Sequence, residues 1–229
     1  VFDGKKYKGF EGDTLASALL ANDVKLIARS FKYHRPRGIV TSGSHEPNAL
    51  VEITRDNYNE PNSKATTVEL YEGLKAKSQN CWPSLKFDMM SINDKFSNFI
   101  GAGFYYKTFM WPSSFWEKIY EPLIRKAAGL GKLSRSQNNG NSEKGFLHCD
   151  LLIIGSGPSG LISAFIAGLA GIKVILIEED YIFGGSLNNE IFRISNMSAQ
   201  DWVQSILKEI RKLPNVRCIK NTSVIGMFD

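Results

Sequence analysis

The sequence contains few of the residues that bind metals or form disulfides. Three cysteines and three histidines occur among 229 residues. They are Cys81, Cys149 and Cys218, and His34, His45 and His148. An odd number of distant cysteines excludes a disulfide framework, and neither set has the spacing of a metal site or of a nucleophile–base pair. The sequence therefore predicts a reduced, cytoplasmic protein without a metal, and it identifies no catalytic residue.

Long apolar runs are also absent. No segment has the length of a membrane span, and Val1 is followed at once by polar residues rather than by a signal peptide. We therefore expect no membrane association. Because Val1 is not methionine and opens within a predicted strand, we expect a trimmed N-terminus.

Neither sign of charge dominates, since the formal net charge is +5 and the isoelectric point is near 9.0. Basic residues are mixed with acids except around residues 29–38 (RSFKYHRPRG), where cations and aromatic residues are interleaved. Such interleaving is typical of nucleic-acid surfaces. The alternative, which we favour, is a basic loop that pairs with acids or with ligand phosphates inside an assembly. We expect no nucleic-acid partner.

The most informative segment is residues 150–161 (DLLIIGSGPSGL), where a glycine motif separates an apolar strand from a helix. Gly155 permits the tight turn, Gly157 lets the backbone approach phosphates, and Gly160 lets the helix pack closely on the sheet. The helix N-terminus adds N–H groups and a positive dipole end. This pattern predicts a binding site for the pyrophosphate of a dinucleotide.

The residues after the motif agree with this interpretation. Gly171 is placed to end the helix, and residues 173–179 (KVILIEE) read as a buried parallel strand that ends in carboxylates. Glu178 is the expected ribose ligand, whereas Glu179 or Asp180 could face water. An acid here favours NAD or FAD over NADP, because it repels a 2′-phosphate. The alternative is a buried αβ unit with ordinary loop glycines and solvated acids.

The composition along the chain divides it into three regions. The first, residues 1–80, is predicted to be a small α+β domain. Its predicted elements are a hairpin at 1–10, a helix from Thr14 capped by Asp13, and strands at 49–53 and 67–70. Residues 81–148 form an aromatic-rich connecting segment and a polar linker at 132–144, with a helix only at 115–128. The aromatic part is either a linker that wraps over a partner or an irregular piece of core.

Residues 149–229 predict the N-terminal half of a dinucleotide-binding domain. A helix capped by Ser198 and Asp201 places Trp202, Ile206 and Ile210 on one face, and strands are predicted at 216–219 and 223–228. About 80 residues follow the linker, which is roughly one half of such a domain. We therefore expect the chain to be a fragment.

Several unusual strings carry a resemblance to a known family. They are residues 12–20 (GDTLASALL), 29–38, 46–49 (EPNA), 103–109 (GFYYKTF) and 128–131 (AGLG). In this order they resemble the N-terminal part of the alpha subunit of heterotetrameric sarcosine oxidase, and the resemblance covers essentially the whole chain. The family's alpha subunit is much longer.

The resemblance implies the fold class. We expect an α+β ferredoxin-like β-grasp domain, followed by an incomplete α/β Rossmann-like FAD/NAD(P)-binding domain. Iron–sulfur relatives carry a C-x4-C-x2-C run in the loop after the first helix, but residues 38–49 contain no cysteine. The first domain is therefore expected to keep the fold without the cluster.

The resemblance also implies function. The family demethylates sarcosine oxidatively to glycine, passes the one-carbon unit to tetrahydrofolate or releases formaldehyde, and forms peroxide. The resemblance implies NAD on this subunit, FMN at a subunit interface, FAD on the beta subunit and tetrahydrofolate on a C-terminal part outside this sequence. It also implies beta, gamma and delta subunits as partners.

The double glycine in residues 183–187 resembles a second nucleotide-contacting loop. The predicted cofactor-binding residues are Gly155, Ser156, Gly157, Pro158, Ser159, Gly160, Glu178, Glu179, Gly184, Gly185 and Ser186.

Two alternatives remain. One is an alpha subunit of a related FAD-dependent amino-acid or opine dehydrogenase, or of hydrogen cyanide synthase. Relatives with clusters keep cysteines near residues 43–48, so the absence of cysteine there argues against it. The other is a non-catalytic assembly subunit with a structural nucleotide, whose aromatic segment provides apolar surface for a partner.

Overall fold

The chain folds into two compact units, Val1–Gly140 and Asn141–Asp229. The computed structural model describes residues 1–55, 58–104, 109, 111–132, 134 and 143–227. Each unit has its own cluster of buried apolar side chains. No helix in the described ranges is long and apolar enough to cross a bilayer.

The first unit is built on a three-stranded antiparallel sheet beside a short helix. Its elements are α1 (Leu15–Ala21), β1 (Ala28–Arg29), β2 (Pro36–Arg37), β3 (Leu50–Arg55), β4 (Tyr58–Lys64) and β5 (Lys75–Ser78). The sheet has the order β4–β3–β5, and β1 and β2 form a separate two-stranded ribbon. Alternate residues of β3 are buried, with Val51 and Ile53 wholly inaccessible, which is why this strand lies at the centre.

Helix α1 begins one residue later than predicted. The Thr14 side chain accepts a hydrogen bond from the N–H of Ser17, whose hydroxyl accepts from the N–H of Thr14, so these residues form a capping box. Asp13 is not the cap. Its carboxylate accepts from the N–H of Phe10 and from the Ser17 hydroxyl. The expected end of the helix at Asn22 is confirmed.

The strand predictions for this unit are only partly right. The strand expected at 49–53 is present as β3. At 67–70 the structure has only an isolated bridge between Thr14 and Glu69, and the expected hairpin at 1–10 is reduced to a bridge between Phe2 and Lys5. Strand β4 was not predicted because it is polar and contains a proline, which an edge strand tolerates.

The connecting segment contains short helical pieces. A 3₁₀ turn at Met89–Ser91 leads into α2 (Ile92–Lys95), and a π-helical turn at Trp116–Tyr120 leads into α3 (Glu121–Ala128). The helix predicted at 115–128 is therefore present, although only its second half is α-helical. Residues 105–108 and 110 of the aromatic-rich part, and most of the predicted linker at 132–144, lie outside the described residues.

The basic loop at residues 29–38 makes its contacts within the first unit. The Arg29 guanidinium donates to the carbonyl of Leu85 through Nε at 3.0 Å and Nη2 at 2.7 Å. Arg35 pairs with Asp94 at 2.7 Å. These contacts favour the interpretation of this loop as an internally paired structural element.

The second unit is a parallel α/β half-domain. Its elements are β6 (Leu151–Ile154), α4 (Pro158–Leu169), β7 (Val174–Ile177), a 3₁₀ turn (Gly185–Asn188), β8 (Arg193–Ile194), β9 (Met197–Ser198), α5 (Ala199–Ile210) and β10 (Val216–Ile219). The main sheet has the order β10–β7–β6, and all its pairs are parallel. Strand β6 and both helices lie where the sequence predicts them, including the Ser198 cap and Gly171 at φ +81° after α4. Residues 223–227 form no strand, so that prediction is wrong over this range.

Candidate functional site

The glycine loop and the predicted ribose-binding acid lie at the same edge of the parallel sheet. The loop, residues 155–160, joins β6 to α4, and Glu178 directly follows β7. Because β6 and β7 are parallel neighbours in register, their carboxyl ends meet at this edge, where open α/β sheets bind ligands. Gly155 has φ +91°, a conformation that glycine adopts without a steric penalty.

Gly157 and Gly160 are needed for different reasons. A Cβ on Gly160 would overlap the carbonyl oxygen of Gly155, so glycine is required there for α4 to pack against the loop. A Cβ on Gly157 would meet no atom within 4 Å, and the φ of Gly157 is −63°. No contact with the described residues demands glycine at 157. The open space beside its backbone is where a phosphate group can approach.

The second glycine pair lies against this loop. Gly184 and Gly185 have φ values of +125° and +53°, and a Cβ on Gly185 would come within 3.2 Å of the Gly157 Cα. The Gly184 N–H donates to the Ser156 hydroxyl at 2.9 Å. The structure thus brings together two glycine segments that are nearly 30 residues apart.

A buried hydrogen-bond network joins these segments to Glu178. Glu178 is 5% exposed, and its Oε2 accepts from the N–H of Ser156 at 2.8 Å and from the Ser156 hydroxyl at 2.5 Å. Its Oε1 accepts from the N–H of Asp180 at 3.1 Å. Ser156 is wholly buried, so its hydroxyl serves this network, donating to Glu178 and accepting from Gly184. The glycine motif indicated Ser156 and Glu178 separately but gave no sign of this link.

The other predicted site residues border the open space. Pro158 and Ser159 are exposed in the first turn of α4, where the N–H groups of Ser159 and Gly160 have no preceding helical carbonyl to bind. Glu179 and Ser186 are exposed. Among the described residues, Glu178 Oε1 accepts the hydrogen bond from Asp180, and a carboxylate oxygen can accept two.

The first unit contains a buried histidine–carboxylate pair that the sequence did not reveal. His34 Nδ1 lies 2.6 Å from Asp88 Oδ2, and His34 Nε2 lies 3.2 Å from the carbonyl oxygen of Ala127. Asp88 Oδ1 also accepts from the N–H groups of Trp82 and Met90. This pair connects the basic loop to α3 and to the chain after β5. No sequence spacing links these residues.

Cys81 and Cys218 are both partly buried. Burial raises the pKa of the Cys81 and Cys218 thiols, which lowers their reactivity at neutral pH. Among the described residues, no three His, Cys, Asp or Glu side chains are grouped so that they could hold a metal ion.

Two family models match the two units. Residues 1–81 match a 2Fe-2S iron-sulfur cluster binding domain, and residues 150–219 match an FAD dependent oxidoreductase. The first unit is thus similar to a ferredoxin-type domain, and the second is similar to part of an FAD dependent oxidoreductase.

Curated relatives match the entire chain. It is 55% identical over 228 residues to the sarcosine oxidase subunit alpha of Rhizobium meliloti (strain 1021), covering 100% of this chain and 23% of that protein. It is 28% identical to the sarcosine oxidase subunit alpha of Corynebacterium sp. (strain U-96), covering 99% of this chain and 19% of that protein. The resemblance to the alpha subunit of sarcosine oxidase is thereby confirmed, and the chain spans less than a quarter of these relatives.

A solved structure shares the fold. The L-proline dehydrogenase of P. horikoshii superposes with a TM-score of 0.56 and 19% identity, covering 100% of this chain and 34% of that one. At this identity the likeness concerns architecture alone.

Proposed function

We propose that this chain holds NAD at the glycine loop, as part of the alpha subunit of a sarcosine oxidase complex. The observation that carries the proposal is the convergence of the two glycine segments at the carboxyl edge of the parallel sheet, with open space beside Gly157. The 55% identity to a sarcosine oxidase alpha subunit supports the choice of complex.

Each residue at the edge has a distinct part in this proposal. The backbone N–H groups of Gly157, Ser159 and Gly160, with Pro158 opening the helix, bind the pyrophosphate, aided by the positive end of the α4 dipole. Glu178 accepts a ribose hydroxyl through its Oε1, and Glu179 adds negative charge nearby. Gly184, Gly185 and Ser186 border the other side of the nucleotide.

The chemistry attributed to this chain is binding and orientation. When bound, the nicotinamide or flavin ring of a dinucleotide exchanges a hydride, while the protein supplies position and electrostatics. Ser156 holds Glu178 and Gly184 in place, and α4 presents its N-terminus to the phosphates. We assign no catalytic residue to this chain.

The wider activity is proposed from the relatives. The complex would demethylate sarcosine oxidatively to glycine, pass the one-carbon unit to tetrahydrofolate or release formaldehyde, and form peroxide. In this proposal the beta, gamma and delta subunits are partners, with FAD on the beta subunit, FMN at an interface, and tetrahydrofolate on a part of the alpha subunit outside this sequence. A cytoplasmic location fits the three free thiols.

FAD at the glycine loop is a second candidate. The family model that matches residues 150–219 describes an FAD dependent oxidoreductase, and the same backbone groups fit either pyrophosphate. FAD here would favour a related amino-acid or opine dehydrogenase, or hydrogen cyanide synthase.

The test is a Gly157→Ala substitution in the full-length alpha subunit, purified with its partners. The new methyl group meets no atom of the described residues within 4 Å, so we expect folding to be unaffected, but in this proposal it occupies the space that the phosphates need. Gly145→Ala is the matched control, because Gly145 also has open space around it and lies outside the loop. We expect at least a tenfold loss of dinucleotide in the first variant and full retention in the second.

The released nucleotide and the turnover decide among the alternatives. NAD lost from Gly157→Ala supports the proposal, whereas FAD lost from it favours the second candidate. Full nucleotide retention in Gly157→Ala contradicts a site at this loop. If the nucleotide is lost but sarcosine turnover persists, the nucleotide is structural and the chain is an assembly subunit.

A further inference from the structure

The residues of the first unit do not fit the cluster that its family model describes. A 2Fe-2S cluster of this type is held by four cysteine thiolates. Residues 1–81 contain one cysteine, Cys81, whose Sγ lies 3.4 Å from the Ser78 hydroxyl. The loop at residues 38–49, where such cysteines would stand, contains none.

The same loop closes around a buried carboxylate instead. Glu46 is 0% exposed, and its Oε2 accepts from the N–H groups of Val40 and Thr41, each at 2.8 Å. Its Oε1 accepts from the N–H of Asn48 at 2.7 Å. Backbone N–H groups from both arms of the loop therefore point inward at a single negative group.

Neighbouring elements hold the tip of the loop. The Thr66 hydroxyl donates to the carbonyl of Gly43 at 2.7 Å, and Lys64 Nζ of β4 donates to the carbonyl of Ser44. Two carbonyl groups of the loop thus accept hydrogen bonds from Lys64 in β4 and from Thr66 just after it. N–H groups from the two arms of the loop donate to the Glu46 carboxylate. This is a built anion site whose anion belongs to the chain.

Converging backbone N–H groups form concave anion sites in proteins, and many iron–sulfur clusters lie in such sites. We propose that the Glu46 carboxylate is the anion around which this loop folds, in place of a metal cluster. The domain is then a ferredoxin fold closed by its own side chain, serving as a scaffold rather than as a carrier of electrons.

The charge state of Glu46 agrees with this role. Burial raises its pKa, but hydrogen bonds from the N–H groups of Thr41, Val40, Asn48 and Ala49 outweigh burial and hold the pKa below its ordinary value. A carboxyl group whose pKa is depressed by folding stabilises the fold above its ordinary pKa, and this stabilisation is lost as the pH falls through the depressed value.

Two measurements on the full-length protein test the proposal. The first is iron and sulfide content, as purified and after anaerobic reconstitution with ferrous iron and sulfide. We expect neither bound iron nor the absorption of a 2Fe-2S centre, and stoichiometric iron and sulfide would overturn the proposal.

The second measurement compares amide hydrogen exchange in Glu46→Gln and Glu72→Gln. Glu72 is exposed in the same unit, so its variant controls for the loss of one charge. We expect exchange in peptides spanning residues 40–49 to accelerate at least about tenfold in Glu46→Gln alone, since the amide group turns a donor toward backbone donors. Equal exchange in both variants would overturn the proposal. If Glu46→Gln does not fold, Glu46→Asp decides: a folded protein supports a required negative charge, and an unfolded one does not.

Discussion

The side chain of Ser156 determines how the candidate site is held together. Its hydroxyl donates to Glu178 and accepts from Gly184, so one buried oxygen connects the glycine loop, the end of β7 and the second glycine pair. The first of these partners is 22 positions away and the second is 28. Neighbouring Ser159 has the same chemistry but is exposed in the first turn of α4.

Substitution of Ser156 by alanine should therefore be costly, while the same change at Ser159 should not. Ser156→Ala leaves the Gly184 N–H without its acceptor and Glu178 with one donor fewer, which should lower the free energy of unfolding by about 1–3 kcal/mol. Ser159→Ala should change it by less than about 0.5 kcal/mol. Urea denaturation of both variants measures the difference, and equal midpoints would show that the hydroxyl network contributes nothing to stability.

At the scale of elements, the contact between α4 and β6 depends on the absence of a side chain. The start of α4 approaches the loop so closely that a Cβ on Gly160 would overlap the Gly155 carbonyl. The helix then buries Leu161 and Ala164 against the sheet. The position of the helix N-terminus, and hence its use as an anion site, follows from this close packing.

Gly160→Ala tests this packing. Since the obstructing atom belongs to the backbone and cannot rotate away, α4 must shift, and we expect a loss of stability of about 1–3 kcal/mol. Gly157→Ala, where the methyl group meets no atom, should retain the wild-type unfolding midpoint. Thermal or urea unfolding, monitored by circular dichroism, compares the unfolding midpoints of the two variants. A stable Gly160→Ala variant would mean that the helix does not need this close approach.

At the scale of the whole molecule, the chain has two cores that share no residue. One consists of buried residues between Phe2 and Leu85, and the other of buried residues between Leu161 and Ile210. The elements that border the candidate site all belong to the second unit. Ligand binding at the glycine loop should therefore stabilise one core directly.

Hydrogen exchange of the nucleotide-free protein, with and without NAD, tests this expectation. At a hundredfold excess of NAD over its dissociation constant, binding contributes about 2.7 kcal/mol, so amides that exchange by unfolding of the second unit should slow about a hundredfold. Peptides from residues 1–81 should keep their rates. Equal protection in both regions would show that the two cores unfold together.

Much of the second unit was predictable because its signals are local. The apolar run of β6, the glycines after it, Gly171 at the end of α4 and the Ser198 cap all act within a few residues of their own position. The first unit was less predictable. Strand β4 contains Pro61 and polar residues, so only its edge position beside β3 explains it, and the expected strand at 67–70 lacks a continuous partner.

The sequence by itself determined the order of elements in the second unit and the presence of a glycine-rich turn at a strand end. It did so because turns, caps and buried strands have local steric and apolar requirements. Only the tertiary structure decided that Ser156 links Glu178 to Gly184, that His34 pairs with Asp88, and that Glu46 is enclosed by backbone N–H groups. Burial and hydrogen bonding between distant residues give those side chains their roles, and such contacts exist only once the chain has folded.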